Sequence, residues 1–128
     1  MGKDYYIEDI LSQGVSDVPI GFKLLVTSDM SWMRGLTGNE IKVLLWMGGT
    51  AYPATTKILN REQEEKFVTV SGVSLRGMHS SLSTLVRKGL LKRPSPRIYY
   101  IHPNVLFTGS VKNHSDKVRK FEEMKNYR

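Results

Sequence analysis

At 128 residues, with 40% apolar and 24% charged residues, the chain has the length and composition of one globular domain able to bury its own core. It has no cysteine, which excludes disulfides, thiolate metal sites and thiol nucleophiles and suits a reducing cytoplasm. Its longest apolar run, Val43 to Met47, falls far short of the roughly 20 residues that span a bilayer. MGKDYYIEDIL also lacks an apolar export core, so a cytoplasmic protein with no membrane association is expected.

The net charge of +7, with a pI of about 9.7, is unevenly spread. Residues 1–86 hold eight Lys/Arg and nine Asp/Glu, whereas residues 87–128 hold eleven and three. A positive excess gathered in one part of a fold is the footprint of phosphate binding. A solvated basic tail over 110–128 would leave the same count.

In chain order, residues 5–12 suit a short helix, and a Gly/Ser/Asp/Pro break follows at 13–21. GFKLLVTSD (21–29) reads as a strand or extended arm and DMSWMRG as a helical turn or two. Thr37-Gly-Asn-Glu40 is a capping box, with Leu36 and Ile41 placed as a hydrophobic staple. The helix it starts, 38–47, should be buried on most of its surface and end at Gly48-Gly49. A loop with Pro53 leads to a short strand at 57–59, and Asn60 is placed to cap a helix over 61–71. Its first-turn acids suit the helix dipole, while the strand propensity of FVTV opposes its second half. Gly72 ends this helix, Ser74 caps a third over 75–88, and Gly89 closes that one. Strands at 90–93 and 97–101, joined by Pro94-Ser95-Pro96, form a hairpin. The tail HSDKVRKFEEMKNYR suits a helix capped by Ser115, with Val118 and Phe121 as a thin apolar stripe.

The order helix, strand, helix, Gly-Val-Ser, helix, hairpin predicts an α+β, mainly α fold, a winged helix-turn-helix domain over 22–109. An N-terminal arm or short helix (1–21) precedes it and a basic C-terminal tail (110–128) follows. At about 100° per residue, Met78, Leu82, Leu85 and Val86 share one arc of the third helix. Arg76, Gly77, Ser80, Ser83, Thr84 and Arg87 share the opposite arc, with His79 at its edge. Short side chains on an outer face let a helix backbone approach base edges in a major groove. Arg76 suits guanine N7/O6, Ser80 and Ser83 suit bases or phosphates, and Leu75 suits a thymine methyl or the underside of the turn. Lys92, Arg93 and Arg97 flank the hairpin tip, where they can meet the sugar-phosphate backbone or simply protect strand edges from aggregation.

Catalytic patterns are missing. There is no HExxH, no phosphate-binding Gly-rich loop and no GxSxG, and His79, His102 and His114 stand at no recognised metal spacing. No enzymatic activity and no cofactor are expected. Trp32, Trp46, Phe22 and Phe67 read as core residues rather than stacking platforms.

From Phe22 to Gly109 the chain resembles the RepL-type plasmid replication family. FKLLV and LTGNEIKVLLWM are similar to that family's opening strand and first core helix. GVSLRGMHSSLSTLVRKGLLKR is similar to its turn, recognition helix and entry to the wing. RIYYIHPNVLFTGS is similar to its closing motif, with His102 in place of the usual Asn, and Ser80 stands where a basic residue is common. The resemblance implies double-stranded DNA binding in replication initiation or its control, with recognition positions Leu75, Arg76, Gly77, His79, Ser80 and Ser83. A transcriptional repressor and a winged-helix protein-interaction module are the competing expectations. A homodimer reading two half-sites is expected, as are contacts with replication proteins.

Overall fold

The helices that start at Gly38, Arg61 and Leu75 each begin at a side-chain cap, and those caps fix this part of the chain's frame. The computed structural model describes residues 24–25, 31–51, 56–107 and 111–127. The helix expected over 5–12, Phe22 with most of the 21–29 arm, and the Pro53 loop lie outside the described residues. The elements are β1 (Leu24–Leu25), a 3-10 turn (Ser31–Met33), α1 (Gly38–Thr50), β2 (Thr56–Ile58), α2 (Arg61–Ser71) and α3 (Leu75–Arg87). β3 (Leu91–Ser95), β4 (Ile98–Ile101), β5 (Leu106–Phe107) and α4 (Val111–Glu123) follow. The fold is α+β and mainly helical, with a small three-stranded antiparallel sheet.

The capping box forms as expected. Glu40 N–H donates to Thr37 Oγ1 at 3.2 Å, and Thr37 N–H donates to Glu40 Oε1 at 3.1 Å. α1 does not stop at Gly48-Gly49, however, but runs through both to Thr50. Neither glycine takes a positive φ, and Thr50 Oγ1 donates back to Trp46 O at 2.7 Å. Gly48 serves packing instead. A Cβ there would lie 1.9 Å from Leu106 Cδ1, so only glycine lets β5 lie against α1. The helix is also less enclosed than expected, since Leu45 is exposed.

β2 is shifted one residue from the expected strand. Asn60 Oδ1 accepts from Gln63 N–H at 2.9 Å and starts α2. FVTV stays helical throughout, because Phe67 gains full burial in the core from that conformation. Gly72, at φ 77°, reverses the chain, Val73 is buried beneath the turn, and Ser74 Oγ accepts from Gly77 N–H at 3.0 Å to open α3. Val43, Leu44 and Met47 of α1 meet Phe67, Met78, Leu82, Leu85, Leu91, Ile101 and Val105 in one core. Each such side chain contributes about 1.5–3 kcal/mol by leaving water.

The sheet order is β2-β4-β3, with both pairings antiparallel. The hairpin turn is Pro96-Arg97, since Ser95 already pairs with Ile98. Pro94 therefore sits inside β3 rather than in the turn, and Arg97 belongs to the turn rather than to a strand. A proline is tolerated there because β3 is an edge strand and its register shifts between Lys92 and Ser95. β1 pairs with β5, Leu24 opposite Phe107 and Leu25 opposite Leu106.

α4 starts at Val111, four residues before the expected Ser115 cap. Phe121 is buried, its ring 4.6 Å from that of His102. Beyond α4 the chain returns along β3. Lys92 Nζ donates to Met124 O at 2.8 Å, Arg93 N–H to Asn126 Oδ1 at 2.7 Å, and Tyr127 N–H to Arg93 O at 2.6 Å. No helix among the described residues is long and apolar enough to cross a membrane.

Candidate nucleic-acid interface

The face of α3 that turns from the core follows directly from its periodicity. Met78, Leu82 and Leu85 are buried as the spacing requires, Val86 is half-buried, and Ser81 adds a small residue to the inner face. Leu75, Arg76, His79, Ser80, Ser83 and Arg87 are exposed. Arg76 has no side-chain partner among the described residues, whereas Arg87 Nη2 donates to the Thr84 hydroxyl at 3.3 Å. Gly77 departs from the sequence reading. A Cβ on it would meet Ser74 Oγ and Val73 Cγ1 at 3.2 Å and Asn39 Nδ2 at 3.6 Å, so it faces the turn and the start of α1. Its small size serves packing there rather than close approach to a groove.

The three basic residues of the hairpin are not equivalent. Lys92 is turned to the C-terminal segment, its ammonium held by Met124 O and 5.8 Å from the Phe121 ring. Arg93 donates from Nε at 3.1 Å and from Nη2 at 2.7 Å to Pro96 O, bracing the turn. Its guanidinium lies 5.5 Å from the Tyr99 ring and 6.0 Å from that of Tyr127. Arg97 is exposed at the tip with no side-chain partner among the described residues, while its carbonyl accepts from Leu59 N–H at 2.8 Å. Arg97 alone of the three presents an uncommitted cation.

Between α3 and the hairpin runs a cleft of about 650 Å³. It brings His79, Ser83, Arg93 and Arg97 together with Arg61, Glu64, Tyr99, Asn126 and Tyr127. Leu75, Arg76, Ser80 and Arg87 lie outside it on the open face of α3, and Lys92 lies outside it on the far side of β3. Sequence reasoning missed Glu64, which reaches His79 Nε2 at 3.0 Å, as well as Tyr99, Asn126 and Tyr127. The helical phase of Glu64 on α2 carried no sign of a partner fifteen residues on. Burial pushes the Tyr99 phenol above its usual range, with Arg93 opposing the shift and Glu64 adding to it, so Tyr99 is a neutral donor at pH 7.

Charge elsewhere is partly spent within the molecule. On α4, Arg119 pairs with Asp116 and reaches Glu123 at 3.6 Å, and Lys120 reaches Asp116 at 3.3 Å. At the end of α3, Lys88 donates to Gly35 O at 2.9 Å and lies 3.6 Å from Glu40. Lys57 is buried with its ammonium 4.5 Å from the Trp46 ring. Desolvation, aided by Lys66, holds that amine below the usual lysine range. Desolvation likewise lowers His102, with His114 and Lys92 adding to the effect and Glu122 opposing it. His102 Nδ1 accepts from Asn104 N–H at 2.9 Å, the bond that an Asn at this position would make through its side-chain oxygen. Among the described residues no group of three or more His, Asp or Glu is placed to hold a metal ion.

Comparison with protein-family models, with curated proteins and with solved structures finds no match.

Proposed function

We propose that the protein is a sequence-specific, double-stranded DNA-binding protein of the winged helix-turn-helix type. In this reading α3 enters the major groove and the β3–β4 hairpin lies along the adjoining backbone. The observation that carries it is the pairing of two exposed features: an α3 face of Arg76, Ser80 and Ser83, and a hairpin tip whose Arg97 is uncommitted. The sheet order supports it too, because pairing β2 with the returning strand β4 holds the hairpin beside α3. Arg76 would read a guanine edge, Ser80 and Ser83 would bond bases or phosphates, and Arg87 and Arg97 would neutralise phosphates. Arg93 would brace the tip rather than bind directly. Action in plasmid or phage replication initiation, or its control, rests on the resemblance of the GVSLRGMHSSLSTLVRKGLLKR and RIYYIHPNVLFTGS segments.

Fluorescence anisotropy on a selected site and on random duplex tests the division of labour. Arg76→Ala should cost about 1–3 kcal/mol on the selected site and relax discrimination at one base pair. Arg97→Ala should weaken binding alike on all sequences and reduce the salt slope by about 1. Equal losses from both variants on both duplexes would refute the assignment. Absence of salt-dependent duplex binding would instead favour docking of α3 on a protein partner.

A further inference from the structure

We propose that the cleft between α3 and the hairpin is a phosphodiester-binding groove, and that Asn126 and Tyr127 of the C-terminal segment form one wall of it, with Tyr127 contacting the bound strand. This rests on the DNA-binding reading and adds to it a segment that sequence treats as a tail.

Three observations carry it. First, donor-bearing residues from separate elements line the one groove: Ser83 of α3, Arg97 of the turn and Tyr127 of the C-terminal segment. Second, the segment is fixed rather than merely adjacent. Asn126 accepts from Arg93 N–H and Tyr127 N–H donates to Arg93 O, so both polar groups of one β3 residue are spent on holding it. Third, its side chain is left available: Tyr127 is 52% exposed, and its hydroxyl has no hydrogen-bond partner among the described residues. A volume of about 650 Å³ is ample for a sugar-phosphate unit, within the roughly 300–1,000 Å³ typical of ligand sites. Glu64 also lines the groove, and its carboxylate lies 3.0 Å from His79 Nε2 rather than beside Arg97 or Tyr127.

The chemistry recognised is a phosphate oxygen, which a duplex backbone or a free phosphate could supply. The spread of donors along an open cleft favours the backbone. Tyr127→Ala and Tyr127→Phe in the full chain, titrated with selected and random duplex, test this. Both variants should bind about two- to tenfold more weakly on both duplexes, the cost of one lost hydrogen bond. The salt slope should be unchanged, since a hydroxyl releases no counterion. A drop in discrimination instead of a uniform loss would place Tyr127 at a base edge and overturn the proposal. Binding equal to or tighter than wild type would do the same, the latter marking the segment as a competitor for the groove. In a third arm, inorganic phosphate replaces chloride at constant ionic strength. Displacement of duplex by millimolar phosphate would assign the cleft to a small anion and overturn the strand assignment. Wild-type protein that binds no duplex overturns the DNA reading along with this one, whereas a silent Tyr127 beside a binding wild type overturns only this one.

Discussion

Gly48 and Gly49 stand side by side in α1, yet replacing each with alanine should move stability in opposite directions. At Gly49 a Cβ meets nothing within 4 Å, and the φ is negative. Gly49→Ala should therefore stabilise by about 0.4–1 kcal/mol, through a less costly loss of backbone freedom. At Gly48 the same gain of about 1 kcal/mol is opposed, because the new methyl would sit 1.9 Å from Leu106 Cδ1 and 3.3 Å from its Cγ. Leu106 must leave its rotamer or β5 must shift, and overpacking of this kind costs about 1–3 kcal/mol. The net for Gly48→Ala is a loss of about 0–2 kcal/mol, which is up to roughly 8 °C in melting temperature for a domain of this size. The clash resides in the far end of the leucine, since Leu106 Cβ is 3.8 Å away, an ordinary contact. In a Leu106→Ala background, Gly48→Ala should thus become stabilising. Urea denaturation followed by circular dichroism on the four proteins of this cycle reads the coupling directly. If Gly48→Ala stabilises the wild-type protein as much as Gly49→Ala does, the packing of β5 on α1 is not as described.

Two further outcomes are expected. The folded protein holds His102 below its ordinary pKa of 6.5, so the unfolded chain binds more protons, and stability falls as pH drops through the window below 6.5. His102→Asn keeps an acceptor for Asn104 N–H but cannot titrate. Its melting temperature should be lower at pH 7.5, through loss of the ring contact with Phe121, yet flatter between pH 7.5 and 5. An unchanged slope would refute the assignment to His102. The expectation of a homodimer that reads two half-sites is checked by sedimentation equilibrium at tens of micromolar, where a dimer is the expected outcome and a monomer would count against paired recognition.

The parts of the fold legible in the sequence are those governed by local chemistry. Thr37, Asn60, Gly72 and Ser74 each act on the next few residues, and each does what its type and spacing require. The inner face of α3 was equally readable, because helical phase converts directly into burial. The reading failed where a distant partner decides. Gly48-Gly49 looks like a helix stop until Leu106 is placed against it, 58 residues further on. Pro94 looks like a turn residue until β3 is known to be an edge strand with a shifted register. Lys92, Arg93 and Arg97 look alike as a basic cluster. The return of Met124–Tyr127 along β3 then takes up Lys92 and braces Arg93, leaving Arg97 uncommitted. At the cleft, helical phase placed His79 and Ser83 correctly, but nothing local could announce Glu64 or Tyr127.

The central claim is that α3 and the hairpin tip meet one duplex together. Its most direct test is the affinity of the wild-type protein for a duplex, measured from about 50 to 200 mM salt. With Arg87 and Arg97 available to phosphates and Arg76 close by, log K should fall linearly with log salt, with a slope of about −2 to −3 for each protomer engaged. No measurable duplex binding at the low-salt end, or an affinity that salt does not change, would contradict it.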